Sequence, residues 1–218
     1  MTHTFYLKYK SDKEFKAGVT LGFSLFINII YAIFKGFVAV NYHSQRFAAS
    51  AFYYTVLCCE KILLAARLSK KRDVIKDYRC CQFCGLSMII LNTAVSNMTF
   101  MIIKNNLSNR YPQYMIYLAA LFAFYNFGNA IHNIIIYHKM KVPLYSAIKM
   151  ISMASAMVSM FFLQVDMLAE FGDGSRWQND MNILTGSAVY IAIFLMAITI
   201  FINSRKQIKL HKSKTAGV

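Results

Sequence analysis

Acidic residues are scarce in this chain of 218 residues: nine Asp and Glu stand against 24 Lys and Arg. Charge of either sign is also short, at 15% of the residues, where soluble domains carry about 25%. That shortage excludes an ordinary soluble domain. Proline is nearly missing, with two residues, Pro112 and Pro143. Both fall where a long apolar segment begins, a place where a missing N–H costs little. No Walker A sequence, HExxH, GxSxG or dinucleotide-binding glycine fingerprint is present, so the motif-bearing nucleotide, zinc-protease and hydrolase chemistries have no foothold. No catalytic residue is assigned, and no cofactor is expected.

What is abundant is apolar sequence: 57% of residues are hydrophobic and the mean hydropathy is +0.42. A span of the hydrocarbon core needs roughly 20 apolar residues. Six segments reach that length, at about 17–40, 47–68, 83–103, 113–137, 144–168 and 181–202. All must be helices, because open sheet edges do not face lipid. The expected fold is all-α, a polytopic bundle of six transmembrane helices over residues 17–203, with basic segments at 1–16 and 204–218. The first span is too long for the core of a signal peptide and is expected to be retained.

The net charge of +15 is sorted by loop. Lys8, Lys10, Lys13 and Lys16 precede the first span, and Lys70, Lys71, Arg72, Lys76 and Arg79 follow the second. Lys139 and Lys141 follow the fourth, while Arg205, Lys206, Lys209, Lys212 and Lys214 follow the sixth. The other loops hold only Arg46, Lys104, Arg110 and Arg176. The positive-inside rule then puts both termini in the cytoplasm. The basic rim is expected against anionic lipid headgroups, not nucleic acid. The sequon at 106–108 falls on an outer loop in this topology, and chance accounts for it.

None of the five cysteines lies on a predicted outer loop, so no disulfide framework is expected. Cys80, Cys81 and Cys84 contain a CxxC at the third span and are candidate metal ligands; the alternative is packing as small hydrophobes. Met150, Met153, Met157 and Met160 repeat at helical spacing, which suits Cu(I) but describes a packing surface equally well.

Polar residues inside spans carry most of the functional information, because ionisable groups at the bilayer centre cost about 2.5–3.5 kcal/mol and face the bundle interior or water. On the fifth span Lys149, Ser152, Ser155, Ser159, Asp166 and Glu170 keep to one face. The stripe reads as the wall of a polar path, or as close packing through small residues. The first span carries Ser24, Asn28, Tyr31 and Lys35 on one face, and Gly18 with Gly22 as a candidate helix-contact face. The fourth carries Asn126, Asn129 and Asn133, bordered by His132. By depth Lys35 matches Asp166 near the outside, and Glu60 matches His132 and Lys149 near the inside. Two charged layers separated by neutral polar residues suggest the gates of a small transporter.

Tyr31-Ala32-Ile33-Phe34-Lys35 loosely parallels Leu121-Phe122-Ala123-Phe124-Tyr125-Asn126, which suggests a 3+3 inverted repeat. Tyr31 to Gly36, Tyr111-Pro112 followed by Ile116-Tyr117, and Leu163-Gln164 through Gly172 resemble an uncharacterised family of small six-span membrane proteins from low-GC Gram-positive bacteria. The resemblance implies a bacterial plasma membrane and brings no activity or site. The expected function is a transporter or channel-like protein whose path is lined by spans one, two, four and five. The rival is a non-transporting scaffold or accessory subunit that binds partner helices. A third reading is a membrane enzyme using the cytoplasmic cysteines. Small size favours a homo-oligomer or a membrane-protein partner under either of the first two.

Overall fold

The computed structural model describes residues 13–43, 45–70, 73–104, 113–137, 142–172 and 175–216. Six helices account for nearly all of them: α1 (Lys13–Asn41), α2 (Gln45–Leu68), α3 (Val74–Lys104), α4 (Gln113–Tyr137), α5 (Pro143–Phe171) and α6 (Arg176–Ala216). Each expected span lies on its own helix. The sequon and Lys139 with Lys141 lie outside the described residues.

Five helices, all but α3, are long and apolar enough to cross a membrane. The chain is therefore a helical membrane bundle. In α3 the apolar run is diluted by Ser87, Asn92 and Thr93. It lies antiparallel along α6: Tyr78 meets His211, Gly85 meets Ala197 and Phe201, and Asn92 donates its amide to the Tyr190 carbonyl at 3.0 Å. A Cβ on Gly85 would sit 3.1 Å from two backbone atoms of α6, so this contact depends on the missing side chain. Gly18 and Gly22 behave differently from expectation. Nothing lies within 4 Å of a Cβ built on either, so they are no contact face within the bundle.

Helix ends follow ordinary rules. Pro143 opens α5 in its first turn. Asp73 precedes α3 and accepts the Lys76 backbone N–H at 3.3 Å. That hydrogen bond, followed by the Lys76 ammonium at 3.2 Å, holds the Asp73 carboxyl below the usual carboxylate range. Arg67 ties the α2–α3 corner, with its Nε 2.7 Å from Asp77 Oδ1 and its Nη2 donating to the Asp73 carbonyl at 3.2 Å.

The centre of the bundle is α5. Inside the protein 67% of its apolar window is buried, against 28% for α1 and 17% for α6. Among the described residues α1 packs on α2 and α4; α2 packs on α3 and α5; α4 packs on α5; α5 packs on α6; and α3 packs on α6 and α5. Exchanging the first three helices with the last three maps this pattern onto itself, with one exception. The α3–α5 contact has no α6–α2 counterpart. Tyr31 of α1 and Phe122 of α4, which stand at matching places in the two loosely parallel segments, stack on each other with centroids 3.4 Å apart.

Candidate functional site

The inward faces of α1, α2, α4 and α5 form a polar core in layers, and helical spacing explains each. On α1, Leu21, Ser24, Asn28, Tyr31, Lys35 and Val38 are buried at steps of three and four, while Phe23, Phe26 and Ile30 face outward. On α2 the same spacing buries Phe47, Ser50, Tyr54, Leu57, Lys61 and Leu64.

At one end Lys35 Nζ lies 3.6 Å from Asp166 Oδ2, with both side chains almost completely removed from solvent. The backbones of α1 and α5 do not approach each other among the described residues, so the lysine stem spans the gap. Its ammonium also sits 4.2 Å from the centre of the Phe47 ring and 5.3 Å from that of Tyr31. Ring faces are negative, so both contacts favour the cation.

An aromatic layer comes next. Tyr31 stacks on Phe122, and Tyr54 presents its edge to both, at 5.1 and 5.3 Å. Tyr53 packs edge-on against Tyr54 at 5.7 Å.

One turn further along, Asn28 follows Tyr31 and Asn126 follows Phe122, with Ser155 on the facing side of α5. Their polar atoms have no hydrogen-bond partner: both amide atoms of Asn28, Nδ2 of Asn126 and Oγ of Ser155. The Tyr54 hydroxyl, in the aromatic layer, turns towards Ser159. A buried polar atom without a partner costs about 1–3 kcal/mol, so three such residues in one layer call for an explanation.

Beyond them Lys61, which is 0% exposed, donates to Ser24 Oγ at 3.1 Å. Asn129 donates to the same oxygen at 2.8 Å. Asn133 donates to Ser152 Oγ at 2.9 Å. Ser159 uses its hydroxyl on the Ala156 carbonyl at 2.8 Å.

The expected inner charged layer is corrected by this geometry. No ion pair joins Glu60 to Lys149 or His132 among the described residues. Glu60 is buried on the side of α2 that faces Ser87 and Cys84 of α3, with the Ser87 hydroxyl turned towards its carboxylate. Lys149 is half-buried at the edge of α5. His132 is exposed and lines a cavity of about 430 Å³ between α1 and α4, together with Thr20, Phe23, Tyr125, Gly128 and Asn129. The buried cation at this end is Lys61, which depth matching passed over because of the acid beside it. Its signal was present: Lys61 stands seven residues after Tyr54, on the same inward face.

Cys80, Cys81 and Cys84 share one stretch of α3 as free thiols, Cys81 and Cys84 buried. Among the described residues no three His, Cys, Asp or Glu side chains come together as a metal site. The methionine stripe splits: Met153, Met157 and Met160 line an apolar groove of about 430 Å³ between α4 and α6, with Phe127, Ile131 and Phe161.

No family model, no curated protein and no solved structure matches the chain. The class of protein is accordingly set by fold and site together: a helical membrane bundle with a layered polar core.

Proposed function

We propose that this protein is a small membrane transporter whose solute path runs between α1, α2, α4 and α5. The observation that carries the reading is the middle layer. Asn28, Asn126 and Ser155 hold buried polar atoms with no protein partner, and a solute passing through would complete their hydrogen bonds. With the basic loops inside, Lys35–Asp166 and the aromatic layer form the outer closure, and Lys61–Ser24–Asn129 lies on the cytoplasmic side. The central position of α5 and the repeat-like adjacency suit a path at the junction of two halves. The membrane in question is the plasma membrane of a bacterium.

A second reading, a scaffold that binds partner helices, draws on Gly18 and Gly22, which face open space on α1. Solvent access separates the two. In a protein lacking its native cysteines, single cysteines at Asn28 and Ser155 are treated with small water-soluble thiol reagents in proteoliposomes. A transporter path reacts at both positions, at rates that depend on the side from which reagent is added. Complete protection at both sites sinks the transporter reading and favours the scaffold.

A further inference from the structure

Five Asp, Glu and Lys side chains are buried among the described residues: Lys35, Asp166, Glu60, Lys61 and Asp77, the last paired with Arg67. Lys35 and Asp166 answer each other. Lys61 has no carboxylate within 4 Å among the described residues, although Glu60 is its neighbour in sequence. Adjacent residues on a helix point about 100° apart, and here they part: Glu60 turns to α3, Lys61 to Ser24 on α1. An ammonium carries three donors and no acceptor. The hydrogen bond it makes among the described residues ends on a neutral hydroxyl, whose oxygen already accepts from Asn129. Donors therefore converge on this spot from three helices: the Lys61 ammonium, the Asn129 amide, and one turn away the unpaired amide of Asn28. Asn129 also lines the cavity between α1 and α4, so a polar side chain links this cluster to open space at its border.

We infer that Lys61, Ser24, Asn129 and Asn28 form a binding site for a small anion of carboxylate type. An ammonium with no carboxylate in contact matches one negative charge, and amide and hydroxyl groups supply the further hydrogen bonds a carboxylate accepts. A cationic solute would meet a buried ammonium in this place, and a neutral one would leave it unanswered. Bound anion would draw Ser24 and Asn129 away from each other and give Asn28 the acceptor it lacks. The inference deepens the transporter reading and rests on it for the solute's passage, while binding itself is measured separately.

The test uses the full chain purified in detergent, with binding read by calorimetry and by thermal unfolding. Acetate and hexanoate are compared with acetamide, hexanamide and hexylammonium. The two carboxylates distinguish a water-borne solute from an amphiphile arriving through the lipid. Expected are binding and stabilisation by at least one carboxylate, none by its amide or by the amine, and loss of roughly 30-fold or more in affinity for Lys61→Gln. Lys61→Arg keeps the charge and retains part of the binding. Asn129→Leu leaves Lys61 in place and weakens binding should Lys61→Gln fail to fold. Equal binding of acid and amide, an undiminished affinity in both Lys61→Gln and Asn129→Leu, or no carboxylate binding at all overturns the inference. Carboxylate binding through Lys61 with Asn28 and Ser155 always shielded from thiol reagents would sink the transporter reading alone. Accessible positions with no bound anion would sink only the choice of solute.

Discussion

At the scale of single residues the Lys35–Asp166 contact was legible from depth along two helices, because an ionisable group inside a span must find a partner and few exist. What depth could not give was rotation. Glu60 and Lys149 lie at similar depth, yet one faces α3 and the other the bundle edge. Lys61, a single residue further, holds the inward position. Removing one partner of a buried pair leaves a charge that neither water nor protein answers, at a cost of about 3–5 kcal/mol. Asp166→Leu and Lys35→Met should each lower thermal stability in detergent by that order. The double substitution should recover most of the loss, since an apolar pair of similar volume replaces the ion pair without desolvation cost. Additive losses in the double variant, read by thermal unfolding, would show that the two side chains act independently.

At the scale of elements, the six helices follow from the lengths of apolar sequence, but their contacts do not. Gly18 and Gly22 carry the spacing associated with helix association, and within the bundle they face open space. The close approach belongs to Gly85, which no spacing singled out, because it is the partner backbone of α6 that makes the position tight. Gly85→Ala should destabilise the α3–α6 pair by about 1–3 kcal/mol, as overpacking does. Gly36→Ala, at a position with nothing within 4 Å, should be neutral. If thermal unfolding ranks the two equally, the α3–α6 approach is looser than drawn here. At the start of α3 the depressed Asp73 carboxyl gives a pH signature. A carboxyl whose folded value is lowered contributes stability that is fully present above its unfolded value, and loses it as pH falls through the folded one. Asp73→Asn retains a capping side chain but cannot titrate. The stability difference between the two proteins should be constant above about pH 5 and shrink below about pH 4. A difference that does not change with pH would remove Asp73 from the acid response.

At the scale of the whole molecule, the helix pattern among the described residues is symmetric except at one place: α3 touches α5, whereas α6 does not touch α2. In a transporter built from two inverted halves, the halves hold different conformations, and exchanging them turns an outward-closed molecule into an inward-closed one. The lone asymmetric contact is then the part that must exchange. When the Lys35–Asp166 end opens, α6 should close on α2 as α3 leaves α5. Spin labels at Tyr78 and Ser146 would report the α3–α5 pair, and labels at Gln45 and Asp180 the α2–α6 pair, all on a cysteine-free protein in nanodiscs. Lys35→Met weakens the outer closure and should populate the second arrangement. It is expected to lengthen the first distance and shorten the second together. If the Lys35→Met protein folds and both distances stay at their wild-type values, the asymmetry is a fixed irregularity of packing, and the two halves do not trade places.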